Sequence, residues 1–532
     1  MKFGKAAWSL TARLRARRMR SQYAYTGPQA MQTTHLGHAM QPPFNRIVVV
    51  GGGAAGWMTA TALATALKGG TTIELVESEE IGIVGVGEAT FPSIRNFHRL
   101  LGIDEAEFLR ATDGSYKLGI QFCDWSAEGE NYFHTFGDFG ELSGSRAVWG
   151  QYRRLGEAGL GSLGEQCLSS VMAGQGRFAV PGEADRYDYA YHFDAALYAA
   201  FLRKLGERRG VRRTEGRIVD VTRRADGGVD RLTLADGRVV AGDLYIDCSG
   251  FASLLLGRAL GEPFVDFSHW LPVDRAWACP TERIGTELTP YTRATALEAG
   301  WAWRIPLQSR TGNGHVFASR YIDEERAREQ LLRQLDGPPL AEPRLLRFQT
   351  GHRARAWVHN VVALGLSGGF LEPLESTSIF LVQRAMGRLI DLLLSGVPFG
   401  EQVRADYNGE VGRQFARVRD FIILHYCLSA RRDSALWRAM ATMELPDTLA
   451  FKLHAWRQAG ALYQYDLEGF DATSWLAIHA GMGHWPERAD PSLGDVEPAV
   501  ALQGLQWRRE CIATAVAAMP KHDAYLRGML GR

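Results

Sequence analysis

The sequence predicts an α/β chain: a Rossmann-like nucleotide-binding module carrying a mostly helical C-terminal part. Three observations carry this. The run Ile47-Val48-Val49-Val50 is β-branched, as suits a strand buried in a parallel sheet. It runs straight into Gly51-Gly52-Gly53-Ala54-Ala55-Gly56, and that into a stretch with Ala and Leu at helical spacing up to Leu67. Past about residue 395, helical patterns rich in Trp and Tyr dominate.

In chain order, Arg46 to Val50 is the first strand and Trp57 to Leu67 the helix after the glycine turn. Thr72 to Val76 is a second strand, ended by the acid Glu77. Val211 to Val221 and Val229 to Val240 read as strands interrupted by the turn signals Asp226-Gly227-Gly228 and Asp236-Gly237. Leu244 to Asp247 is a short apolar strand followed by Ser249-Gly250, and Val358 to Leu366 one followed by Ser367-Gly368-Gly369. From Ser376 to Leu394 the pattern is helical. Strands that repeatedly end in small residues imply strand ends converging on one ligand. The expected division is a basic extension over 1–44, a nucleotide module over 45–394 and a helical, substrate-covering module over 395–532.

The bulk numbers narrow the function. The chain has 532 residues and 46% hydrophobic content, enough for a large core. Lys+Arg 60 against Asp+Glu 59 gives no reason to expect nucleic acid or an anionic membrane as partner. The cysteines form no CxxC and no Cys/His group has zinc spacing, so no metal site is expected and a reducing cytoplasm is. No uninterrupted apolar run reaches the roughly 18–20 residues of a membrane span. The start is basic: Lys2, Lys5, Arg13, Arg15, Arg17, Arg18 and Arg20 precede the first acid, Glu74. Its apolar stretch Ala6 to Ala12 stops at Arg13, too soon for a secretory core of about 7–15 residues. It reads as a disordered tail or an early start, with Met31 or Met40 as alternatives. A transit peptide is the compositional rival.

Gly51, Gly53 and Gly56 complete G-x-G-x-x-G in its proper context of strand, turn and helix. The first allows a tight turn, the second close backbone approach to a pyrophosphate, and the third helix-on-strand packing. The helix N-terminus at Ala54 and Ala55 offers free N–H groups to phosphate. Glu77 falls about 20 residues further on, where an acid meets ribose hydroxyls. An FAD or an NAD fits these residues equally.

The stretch Gly300-Trp301-Ala302-Trp303-Arg304-Ile305-Pro306 sets two indoles one residue apart and matches no ordinary strand or helix pattern. With it stand Gly85-Val86-Gly87-Glu88-Ala89-Thr90-Phe91-Pro92, Gly114-Ser115-Tyr116-Lys117, His192-Phe193-Asp194-Ala195 and Ile246-Asp247-Cys248-Ser249-Gly250. Phe370-Leu371-Glu372-Pro373-Leu374-Glu375-Ser376-Thr377 follows. In these blocks, over about Ile47 to Trp485, the chain resembles the flavin-dependent tryptophan halogenases. The resemblance implies an FAD-binding fold of the glutathione-reductase and monooxygenase type. It also implies an oxidoreductase that makes hypohalous acid from FADH2, O2 and chloride or bromide. The oxidant then travels through the protein to an aromatic, indole-like substrate. A separate reductase would supply the reduced flavin, since no second GxGxxG of like context is present. A homodimer is a family-level expectation.

The resemblance also assigns roles. Lys117 and Glu375 match the catalytic pair: an ammonium or amine that activates the oxidant, and a carboxylate for the cationic ring. Thr377 and Ser378 match the halide site. His134, Phe136 and Ser376 match the substrate pocket, and Trp301 and Trp303 shield the flavin. Flavin contacts fall on Gly51, Gly53, Ala54, Ala55, Gly56, Glu77, Glu88, Val219, Asp247, Leu366 and Ile379. Each has a plainer structural reading: a surface lysine stem for Lys117, a first-turn acid for Glu375, core packing for the indoles and for His134. The match fails at Ala461-Leu462-Tyr463-Gln464-Tyr465-Asp466-Leu467-Glu468-Gly469-Phe470, then Trp475. That segment lacks the tandem tyrosines and Phe-Trp pair that clamp an amino-acid substrate. Free tryptophan is therefore expected to be a poor substrate and indole a better one. The alternatives are a flavin-dependent aromatic hydroxylase, which puts substrate beside the flavin, and a non-enzymatic binding protein on the same scaffold.

Overall fold

The computed structural model describes residues 44–67, 70–80, 87–156, 160–488 and 490–531. The basic extension, apart from residue 44, and Gly85-Val86 lie outside the described residues. The first strand, Arg46–Val50, sits inside a six-stranded sheet. It pairs in parallel with Leu244–Asp247 on one side and Thr72–Glu77 on the other, so Val50 lies opposite both Asp247 and Val76. Ile47, Val48 and Val49 are fully buried, which a run of valines covered on both faces requires. Arg212–Glu215 extends the sheet beyond Thr72–Glu77, while Val361–Ala363 and the antiparallel edge Trp357–Val358 lie beyond Leu244–Asp247. The helix Ala54–Ala66 packs against both the sheet and the helix Ala195–Arg208.

A second, seven-stranded sheet carries Gly300–Pro306 near its centre. The tryptophan pair is thus part of an ordinary antiparallel strand, contrary to the sequence expectation. Trp301 and Trp303 are two residues apart, and the period of two sends both indoles to one face. The strand Gly119–Cys123 joins this sheet in parallel beside Tyr291–Leu297, and Asn131–Thr135 pairs with it. A small sheet of Gly87–Ala89, Ala190–Asp194 and Ser115–Lys117 packs against the seven-stranded one. The helical part begins with Thr377–Ser395 and Glu401–Cys427. Phe139, Trp149, Tyr152, Leu160 and Cys167 share a buried cluster with Trp456, Leu476, Leu493 and Leu505, so the helical layer is completed by residues from the first half of the chain.

Candidate active site

One cavity of about 1050 Å³ opens where the strands Arg46–Val50 and Leu244–Asp247 end. Its glycine turn is shaped by close approach. Gly51 has φ +112°, and a Cβ there would lie 2.3 Å from the Cys248 carbonyl oxygen. A Cβ on Gly56 would meet Gly51 O at 1.8 Å, so this glycine packs helix on turn, whereas Gly53 has open space beside it. The helix Ala54–Ala66 has Gly53 as N-cap, with no side-chain cap and no acid in its first turn. Its first N–H groups are available to a pyrophosphate. Glu77 lines the cavity beside Gly52, accepts a hydrogen bond from Trp57 Nε1 at 3.2 Å and pairs with Arg213. A cradle with these properties, in a cavity of this size, fits the FAD expected from the sequence.

Most expected flavin contacts lie on this wall: Gly51, Gly53, Ala54, Ala55, Glu77, Glu88, Leu366 and Ile379. Burial pushes the Glu88 carboxyl up to about 7. Three expected contacts do not line the cavity: Gly56, which packs against Gly51 O, and Val219 and Asp247. Val219 is 52% exposed and faces away, because alternation in the strand Ile218–Arg223 leaves Ile218 to line the cavity. Asp247 is turned inward: Oδ1 accepts from Ser249 N at 3.0 Å, and Oδ2 from Leu255 N and Leu256 N at 2.8 and 2.9 Å. It shapes the loop that presents Cys248, Ser249 and Gly250 to the cavity. Arg203 and Arg217 also line the cavity; nothing local in the sequence distinguishes them from other arginines.

Trp301 and Trp303 wall the same cavity, their ring centroids 6.3 Å apart. Gly314 makes room for Trp303, since a Cβ there would sit 2.1 Å from the indole. Ser376, Thr377 and Ser378 line it from the start of the helix Thr377–Ser395. Thr377 Oγ1 is buried with no partner among the described residues.

Behind this wall lies a second cluster. Lys117, at the end of the strand Ser115–Lys117, is 0% exposed. Its Nζ donates to Thr90 O at 3.1 Å and to Ser376 Oγ at 2.9 Å, and lies 5.4 Å from the Phe136 ring centroid. Burial pushes the ammonium down to about 7, with the Glu375 carboxylate opposing. Ser376 belongs to both places: its hydroxyl accepts from Lys117 while the residue lines the cavity. Glu375, 2% exposed, receives His134 Nδ1 at 2.9 and 3.1 Å on its two oxygens. His425 Nε2 approaches Oε1 to 2.8 Å without meeting hydrogen-bond geometry. Burial alone would raise the Glu375 pKa, but His134 and then His425 outweigh it and hold it down to about 2. Sequence reading brought Lys117, Glu375, His134, Phe136 and Ser376 together but missed His425. A lone histidine on a long helix gives no local signal.

The C-terminal segment closes over this cluster. Phe470 stacks on Phe421 with centroids 3.7 Å apart and touches the His134 ring. Trp475 stands edge-on to Phe421. Just beyond, Lys452 Nζ lies 2.5 Å from Glu468 Oε1 and 3.6 Å from the Trp475 ring centroid, both side chains buried.

The tryptophan halogenase family model matches residues 46–498. The chain is 36% identical over 517 residues to a tryptophan 6-halogenase of Streptomyces toxytricini, covering 91% of this chain and 98% of the relative. A flavin-dependent halogenase from Xanthomonas campestris superposes with a TM-score of 0.88 at 43% identity, over 91% of this chain and 98% of that one. One from Brevundimonas sp. BAL3 gives 0.87 at 41%, over 92% and 99%.

Proposed function

We propose, from the premise that this chain belongs to the tryptophan halogenase family and is a flavin-dependent halogenase using FADH2, halide and O2, that it halogenates an uncharged indole-like aromatic through Lys117 and Glu375. When bound, the flavin supplies the electrons with which O2 converts halide to hypohalous acid. The first residues of the helix Thr377–Ser395 hold the halide, where backbone N–H groups and the unpartnered Thr377 hydroxyl suit an anion. Trp301 and Trp303 fill the space that an organic substrate would need beside the flavin, which disfavours hydroxylation.

Lys117 takes up the oxidant on the far side. Two of its hydrogen-bonding directions are committed to Thr90 O and Ser376 Oγ. The third N–H of the ammonium has no partner among the described residues and would hydrogen-bond the hypohalous oxygen, making the halogen more electrophilic. Glu375 stabilises the cationic ring intermediate and accepts its proton. A cationic arene sheds that proton readily, so even a weakly basic carboxylate serves. His134 and His425 hold the carboxylate in place. Residues 45–394 carry the flavin in this reading, and 395–532, joined by Phe139, Trp149, Tyr152 and Leu160, cover the substrate. A separate reductase delivers FADH2. No helix among the described residues is long and apolar enough to cross a membrane.

The observation that carries the proposal is the single-residue link between two places. Ser376 lines the large cavity and accepts a hydrogen bond from a fully buried lysine outside its wall. The test supplies FAD, NADH, a flavin reductase, bromide and indole to the wild type and to Lys117→Ala. Bromoindole should form with the wild type and fall by at least about 10²-fold in the variant, while NADH-driven flavin oxidation continues. Hydroxyindole as the main product, or undiminished bromination by the variant, defeats the proposal.

A further inference from the structure

Glu372 is a carboxylate that no step above uses. It is completely buried, yet Oε2 accepts two hydrogen bonds, from Trp301 Nε1 and from the Tyr426 hydroxyl, each at 2.8 Å. Oε1 has no partner among the described residues. Burial pushes its pKa up to about 7, against the pull of those two donors.

The three partners come from three separate parts of the fold. Trp301 stands on the strand Gly300–Pro306 and walls the large cavity. Tyr426 is near the end of the helix Glu401–Cys427, and its neighbour His425 is the residue that approaches Glu375. Glu372 precedes the short turn Pro373–Glu375, which ends in the catalytic-pair candidate and leads into Ser376. Two successive side chains of one helix therefore reach the two ends of the 372–375 segment, and Glu372 ties that segment to an indole of the cavity wall.

We propose that Glu372 is a positioning residue that fixes the Trp301 indole in the cavity wall and keeps Glu375 and Ser376 in register with Lys117. This rests on the reading of Trp301 as a shield given under Proposed function. A buried indole N–H needs an acceptor, as does a buried tyrosine hydroxyl. One carboxylate oxygen satisfies both and fixes the ring plane. An apolar residue at 372 would leave two buried donors unpaired, and the indole free to turn toward another acceptor. With the wall misplaced, water would enter beside the flavin, and its reaction with O2 would be spent before halide is oxidised. Reduced flavin and O2 would then give oxidised flavin and hydrogen peroxide, two electrons and two protons passing to O2 with no halogen transferred. The signature is uncoupling, not loss of flavin turnover.

The test compares FAD-loaded, full-length wild type with Glu372→Leu, Glu372→Gln and Tyr426→Phe. Bromoindole and hydrogen peroxide are measured per NADH, with bound FAD and Tm recorded for each. Glu372→Leu should lower bromoindole per NADH at least about tenfold and raise peroxide while keeping its FAD. Glu372→Gln, whose carbonyl oxygen can accept both donors, should recover to within about threefold of the wild type. Tyr426→Phe should fall between them. Wild-type coupling in Glu372→Leu, or Gln as damaging as Leu, overturns the inference. If Glu372→Leu fails to fold or to hold FAD, Tyr426→Phe decides, and wild-type coupling there overturns it. A wild type that makes no bromoindole at all would instead defeat the proposed function, so the two failures are distinct.

Discussion

A fully buried lysine that donates to Thr90 O and Ser376 Oγ has one direction left. In the ammonium that direction is an N–H; in the free amine it is a lone pair. The proposed mechanism needs the N–H, and with a pKa held down to about 7 by burial the choice falls near neutrality. Halogenation is therefore expected to decline as pH rises through about 7, in single-turnover assays with pre-reduced flavin, while flavin oxidation by O2 keeps its own profile. A rate that climbs through the same interval would assign the free amine instead. The same shift bears on stability. Between the folded value of about 7 and the unfolded value of 10.5 the unfolded chain binds the extra proton, so this group makes the fold gain stability as pH rises through that window. Glu375 acts with the opposite partner: its depressed value of about 2 adds stability above its ordinary 4.5, lost as pH falls toward 2.

Among the elements, the turn into the helix Thr377–Ser395 concentrates the most function. Ser376 is its N-cap, yet has φ +60°, a left-handed conformation that side chains other than glycine's adopt at a cost of about 1 kcal/mol or more. Its hydroxyl caps nothing and instead receives Lys117. Strain retained for a contact predicts a separable variant. Ser376→Gly should keep stability within about 1 kcal/mol of the wild type or raise it, read as an unchanged or higher Tm, because glycine relieves the backbone. It should also cut bromoindole formation about tenfold or more as Lys117 loses an acceptor. Loss of Tm with activity intact would refute that trade. Elements of this kind differ in how far the sequence exposes them. The strand Arg46–Val50, its glycine turn and the following helix were legible because each signal is local: β-branching, G-x-G-x-x-G, then alanine-rich spacing. The strand Gly300–Pro306 was hidden because nearly every residue in it is buried, so no polar alternation marks it, although Trp301 and Trp303 keep the period of two on the cavity face. Asp247 and Val219 do not line the cavity, for a local reason. Their positions along the chain are near the site, but side-chain direction is set by loop hydrogen bonds and strand phase.

At the scale of the molecule, the roles of His425 and Tyr426 could not be foreseen, since only the packing of their helix brings them beside Glu375 and Glu372. The C-terminal segment was half legible: its missing tyrosine tandem showed in the sequence, but the fate of its remaining acid did not. Glu468 is already occupied. Lys452 lies on it, Trp475 Nε1 donates to it at 3.1 Å, and the backbone of Tyr465 donates at 2.9 Å. Nearby, Asp466 is paired with Arg417 and Asp420 with Arg419. A substrate ammonium that took Glu468 would strand Lys452, a buried cation whose pKa burial already lowers to about 8. Breaking such a pair costs about 3–5 kcal/mol, against which a free amino acid brings only its own new contacts. Phe470 and Phe421, stacked on each other beside His134, are buried and apolar, so a neutral ring placed against them would desolvate no charge. We therefore expect kcat/KM for indole to exceed that for free tryptophan by about 10²-fold or more, measured with bromide under identical flavin supply. A preference for tryptophan would mean that the Lys452–Glu468 pair opens to admit it, and the assignment of an uncharged substrate would fall.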